Sequence, residues 1–224
     1  MPTIQTLPIA TVHFPEIQLP ERAAAQLRGY FGNVFREHSP LLHNHLEDGK
    51  TRYGCPLVQY KIIDGTPVLV GLHDGAKLLA ELFFEMKAID VNGHHIEVRE
   101  RDIAFKKAEI GVGEDLVEYG FETLWMALNQ DNYPVYEEMA DGERPAFLNR
   151  ILVGNILSFF KGMDFFTEKR VMASFRPTFE TVTGFKNQPM RAFGGTFTTN
   201  AILPDLIGLG KSVSRGFGAV QRIG

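Results

Sequence analysis

At 224 residues, 44% hydrophobic and 11% aromatic, the chain suits one large domain or two of roughly 100 residues each. A single cysteine, Cys55, excludes an intramolecular disulfide framework and a cysteine-rich zinc site, and fits a reducing cytoplasm. The net charge of −4 argues against a general polyanion binder, yet the distribution is uneven: residues 1–150 hold 14 Lys/Arg against 23 Asp/Glu, and residues 151–224 hold 9 against 4. No run has the apolar length of a membrane span. The N-terminal Met-Pro-Thr-Ile-Gln also lacks the charged and apolar regions of a signal peptide.

In chain order, residues 7–14 read as a strand. Pro20 then opens a helix whose apolar positions Ala23, Leu27, Tyr30, Phe31, Val34 and Phe35 recur at helical spacing. A polar loop follows from His38 to Pro56. A hairpin is predicted over Leu57–Ile63 and Pro67–Leu72, closed by Asp64-Gly65. A second helix carries Ala76, Leu79, Leu82, Phe83 and Met86, with Asp74 as its N-cap, and extended segments around Asn92-Gly93 complete the half. The order strand, helix, strand, strand, helix, strand is that of a ferredoxin-like (RRM-like) domain, expected to end near Gly111. The second half repeats the order loosely. A strand is predicted over 118–127, a helix over 144–163, a hairpin over 171–183 and 190–199, and a terminal strand over 219–223. The fold expected is therefore α+β, two tandem βαββαβ domains over 1–111 and 112–224.

Two segments carry chemistry. The first is Gly208-Leu-Gly210-Lys-Ser-Val-Ser-Arg-Gly216-Phe-Gly218, in which four glycines enclose Lys211, Ser212, Ser214 and Arg215. Such a segment brings backbone amides and cations close to an anion. It is not a nucleotide P-loop, because the first glycine of that motif falls on Asp205. It is not a dinucleotide fingerprint either, because the third glycine falls on Val213. With the basic surplus after residue 150, a nucleic-acid backbone is the anion that fits. The second segment is His43-Asn44-His45, in the polar loop with Glu47, Asp48, Lys50 and Arg52 downstream. Its pattern admits three uses: an acid–base pair working near neutral pH, a metal site completed by Glu47 or Asp48, or a solvated loop.

Together, Leu42–Leu46, Arg52–Lys61 and Leu203–Gly218 resemble the repeat-associated RNA-binding superfamily of CRISPR systems, and within it the endoribonucleases that cut precursor CRISPR RNA. The resemblance implies cleavage with neither metal nor cofactor. The upstream 2′-OH attacks the scissile phosphate, and 2′,3′-cyclic phosphate and 5′-OH ends result. It places His43 and His45 as the acid–base pair. It also implies RNA contacts from Arg52, Lys61, Arg191, Gly208, Gly210, Lys211, Ser212, Ser214, Arg215, Gly216 and Gly218. The partners it implies are CRISPR repeat RNA and other subunits of an effector complex, with the protein a cytoplasmic monomer or homodimer. Many such relatives are basic overall, whereas this chain is acidic. A non-catalytic RNA-binding subunit of the same superfamily is the rival reading.

Overall fold

A computed structural model describes residues 4–34, 55–185 and 188–224. The chain divides into two units. The first is Thr6–Ala108 together with Val213–Gly216; the second holds the residues before Thr6, Glu109–Ser212 and Phe217–Gly224.

In the first unit, β1 (Ile4–His13) leads through a 3-10 turn after Pro20 into α1 (Ala24–Val34). The helix buries Ala24, Leu27 and Phe31 at the spacing of one face, while Val34 is exposed and Tyr30 half-buried. The hairpin β2 (Val58–Ile63) and β3 (Thr66–Leu72) turns at Asp64-Gly65, both left-handed, in the register the sequence predicts. Phe31 links the layers, with its ring 6.2 Å from Phe14 and 6.1 Å from Tyr60. The strand order is β2-β3-β1. α2 (Asp74–Leu82) follows, but Asp74 is its first helical residue and bonds Lys77. The cap position belongs to His73, which makes no side-chain cap bond. The segments around Asn92-Gly93 do not supply the fourth strand expected. β4 (Ala88–Val91) and β5 (His94–Glu97) pair with each other as a separate two-stranded sheet.

The second unit is built on β6 (Asp102–Phe121), α3 (Asn132–Glu138), α4 (Arg144–Gly162), β7 (Ala173–Phe185), β8 (Gln188–Ile202) and β9 (Val220–Ile223). β6 starts well before the predicted strand and stops at Phe121; Trp125 instead makes an isolated bridge to Phe193. β8 and β9 flank β6, and β7 pairs with β8, so the strands run β9-β6-β8-β7. That is the ferredoxin-like order. Phe147, Leu148, Leu152, Ile156, Phe159 and Phe160 form the buried stripe of α4, while Ile151 is half-buried. Trp125 stacks on Phe121 at 5.3 Å and meets Phe175 edge-on at 4.9 Å, and its indole N–H donates to Asn155 at 3.0 Å. Between β8 and β9, where the plan has a second helix, runs the glycine-rich segment, which carries only the 3-10 turn Val213–Arg215. The fold is two tandem ferredoxin-like domains, as the sequence predicts. Among the described residues no helix is long and apolar enough to cross a membrane.

Candidate nucleic-acid interface

The glycine-rich segment has a base and a crown. At the base, Gly208 bridges Ala219, the Leu209 N–H donates to Gly218 O at 2.9 Å and the Val220 N–H to Ile207 O at 3.0 Å. The Gly218 N–H donates to Leu124 O and the Lys211 N–H to Met126 O, at 2.9 and 3.0 Å. These bonds strap both arms onto residues 124–126. Gly218 is required sterically: at φ +67°, a Cβ there would lie 1.9 Å from Leu209 O.

Two of the expected RNA contacts sit in the base. Gly208 and Gly218 are buried, and the Gly218 amide is already bonded, so neither presents a donor to a phosphate. Their function is to cross two chain segments.

The crown, residues 211–217, is different. Lys211, Ser212, Ser214, Arg215 and Gly216 are half-buried, as is Gly210 just below them, and Ser212 is left-handed at φ +60°. The turn Val213–Arg215 packs on α1 and β2 within the first unit. Gly216 (φ +100°) permits this approach, since a Cβ there would stand 2.7 Å from Ala24 Cβ, at the first turn of α1. Arg28 lies one helical turn beyond Ala24. Burial, and then the charge of Arg28, hold the Arg215 guanidinium below its ordinary pKa. The two cations thus feel each other's charge. Beneath the turn, the Tyr60 hydroxyl is fully buried without a hydrogen-bond partner among the described residues. Burial raises its pKa, while Arg28 pulls the other way.

Two further expected RNA contacts are buried or ion-paired within the protein. Lys61, on β2, is 0% exposed, and its Nζ has no hydrogen-bond partner among the described residues. Burial pushes it down to about 7. An ammonium so enclosed does not face RNA. Arg191 is held by Glu137 of α3 and Glu180 of β7, which together raise its pKa. Its charge is spent inside the protein surface. His43, His45, Lys50 and Arg52 lie outside the described residues, as do Glu47 and Asp48. Arg28 and Tyr60 were not singled out by sequence. Arg28 reads as an ordinary charge on an amphipathic helix, and its effect on Arg215 depends on a segment nearly 190 positions later.

Family models place the chain. Residues 5–109 match the Cas6b N-terminal domain and residues 111–223 the Cas6b C-terminal domain. The chain belongs to the Cas6b family. A crystal structure of Cas6b superposes with a TM-score of 0.92 at 32% identity, covering 98% of this chain and 100% of the other. A second, of the CRISPR RNA processing endoribonuclease Cas6b, gives 0.80 at 30% identity with the same coverage. An uncharacterized protein of Methanocaldococcus jannaschii is 32% identical over 145 residues, 65% of this chain and 99% of its own length. The two family models together span both ferredoxin-like units of the chain.

Proposed function

We propose that this Cas6b-family endoribonuclease cleaves precursor CRISPR RNA within its repeats, by attack of the 2′-OH on the adjacent phosphate. One histidine of the pair His43 and His45 takes the 2′-OH proton as the new O2′–P bond forms. The other protonates the 5′-oxygen as the P–O5′ bond breaks. The products are a 2′,3′-cyclic phosphate and a 5′-OH, and the bonds and protons balance without a metal or cofactor. Positioned acid–base groups of this kind each contribute about 10²–10⁴-fold.

The observation that carries the reading is the seat of the turn Val213–Arg215 on α1, within the first unit. Arg215 feels the charge of Arg28 on α1, and the half-buried Ser214 shares its turn. An RNA phosphate complements such a cluster of donors and cations. The cluster supplies what the negative net charge of the chain does not. Recognition of a structured repeat then depends on phosphates, shape and unpaired bases.

The test uses repeat RNA transcribed from any CRISPR array found beside the gene, incubated with the protein in EDTA. Cleavage with a cyclic-phosphate end is expected. His43→Ala and His45→Ala are each expected to slow single-turnover cleavage by about 10²–10⁴-fold. Arg28→Ala and Arg215→Ala are expected instead to raise Kd, and to lower the slope of log Kd against log salt by about 0.7–0.9 each. Full activity in the double histidine variant would remove those residues from the chemistry. Intact RNA after long incubation with the wild type, despite tight salt-sensitive binding, would make the protein a non-catalytic RNA-binding subunit.

A further inference from the structure

A second surface of the first unit combines exposed aromatic rings with fixed cations, apart from the glycine crown. Side chains alternate along a strand, so Arg101, just before β6, and Ile103, Phe105 and Lys107 within it share one face. Ile103 packs against the same hydrophobic core as Phe83, at the end of α2. The Arg101 guanidinium lies 5.1 Å over the Phe83 ring. Its Nε donates to Phe83 O at 2.9 Å and its Nη2 to Phe84 O at 3.4 Å. A guanidinium has five donors, so three remain for an outside acceptor. Phe84 meets Phe83 edge-on at 5.3 Å and is 73% exposed; Phe105 is 53% exposed. Lys106 and Lys107 are exposed as well.

We propose that this row is a platform for single-stranded RNA. Bases stack on Phe84 and Phe105, while Arg101 and Lys107 hold the backbone phosphates. Three features select this occupant. Two largely exposed phenyl rings lie beside the cations, and base stacking covers such rings. Lysines, which protein–protein interfaces deplete, sit beside the rings. Alternate residues of a strand repeat every ~6.6–6.8 Å, a step suited to successive units of an extended strand. Between positions 99 and 107 four cations face two carboxylates, Glu100 and Asp102, within an otherwise acidic half of the chain. The proposal rests on the RNA-processing reading, and the platform would hold sequence flanking the repeat.

The experiment measures anisotropy of a labelled oligouridine of about twelve nucleotides bound to the full chain across a range of KCl concentrations. Phe84→Ala with Phe105→Ala is expected to raise Kd at least about tenfold, and Phe84→Trp to keep or improve affinity. Arg101→Gln with Lys107→Glu is expected to weaken binding and flatten the salt slope by about 0.7 for each phosphate no longer neutralised. Lys107→Glu alone, a single change at an exposed position, keeps the test open if a double variant fails to fold. Unchanged Kd and slope in both the aromatic and the Lys107 variants would overturn the platform. So would an aromatic variant that binds oligouridine normally but loses self-association in sedimentation, which would mark a protein interface instead. The readout needs no cleavage. A wild-type chain that failed to cut its repeat RNA would therefore overturn the ribonuclease reading while leaving the platform measurement decisive.

Discussion

The two units share a strand plan but differ in how completely they satisfy buried polar groups. In the second unit the buried polar residues Thr199 and Asn200 are fully engaged. Thr199 Oγ1 donates to Met172 O at 2.6 Å, Asn200 Nδ2 donates to Arg170 O at 3.0 Å, and Asn200 Oδ1 accepts from the Met172 N–H at 2.8 Å. Its one unsatisfied buried side-chain atom among the described residues is Arg144 Nε, on a guanidinium that pairs with Asp141 and stacks over Tyr136. In the first unit, adjacent residues of β2 bury the Tyr60 hydroxyl and the Lys61 ammonium without partners among the described residues. The second unit spends its polar residues on holding a connection in place. The first carries two polar costs in the strand beneath the crown, and such local conflicts concentrate where function is built.

The sharpest way to break this contrast is Lys61→Met, which keeps the volume and removes the buried amine. The folded-state pKa of Lys61 is lowered to about 7, so between about 7 and 10.5 the unfolded chain binds a proton that the folded chain does not. Stability therefore rises with pH across that window, and the cost of Lys61 is greatest at and below pH 7. We expect Lys61→Met to stabilise the protein by about 2–4 kcal/mol in urea unfolding at pH 6.5, with the gain shrinking toward pH 10. A variant less stable than wild type at pH 6.5 would mean that the ammonium is paired after all. The mirror experiment in the second unit has the opposite sign. Asn200→Ala strands the Arg170 carbonyl and the Met172 N–H, and should cost about 1–3 kcal/mol. A neutral result would show that the connection ahead of β7 is held by other means, and would erase the contrast.

How much of this was legible in the sequence follows the range of the forces involved. The Asp64-Gly65 hairpin and the stripe of α4 are local patterns and read correctly. α3 was missed because Pro134 interrupts its first turn and only Tyr136 is buried, which leaves no periodicity to detect. The first part of β6 was missed because Asp102–Ala108 is almost wholly exposed and shows no apolar alternation. Within the glycine-rich segment, spacing alone does not separate glycines that cross a strap from those that open a crown. Gly218 and Gly216 look alike until one is set against Leu209 O and the other against Ala24. His43 and His45, outside the described residues, enter the proposed chemistry through residue type. Arg28 was not legible, because its significance is tertiary.

Arg191 tests the contrast most gently. Sequence counted it among the RNA contacts, whereas the structure commits it to Glu137 and Glu180, with the Tyr136 hydroxyl donating to Glu180 at 3.1 Å. The network ties α3 to the β7–β8 hairpin, but its charges are partly exposed and partly screened. Arg191→Gln should therefore lower thermal stability slightly at pH 7 in low salt, and the deficit should shrink in molar salt. The bond from Arg191 holds the Glu137 carboxyl below the usual glutamate range. Its stabilising contribution is thus present above the unfolded-state value and is lost as pH falls through the lower folded-state one. The gap between wild type and Arg191→Gln should close in acid for that reason. If instead Arg191→Gln flattened the RNA salt slope as much as Arg215→Gln, the arginine would belong to the RNA surface, and the division between structural and RNA-facing cations would have to be redrawn.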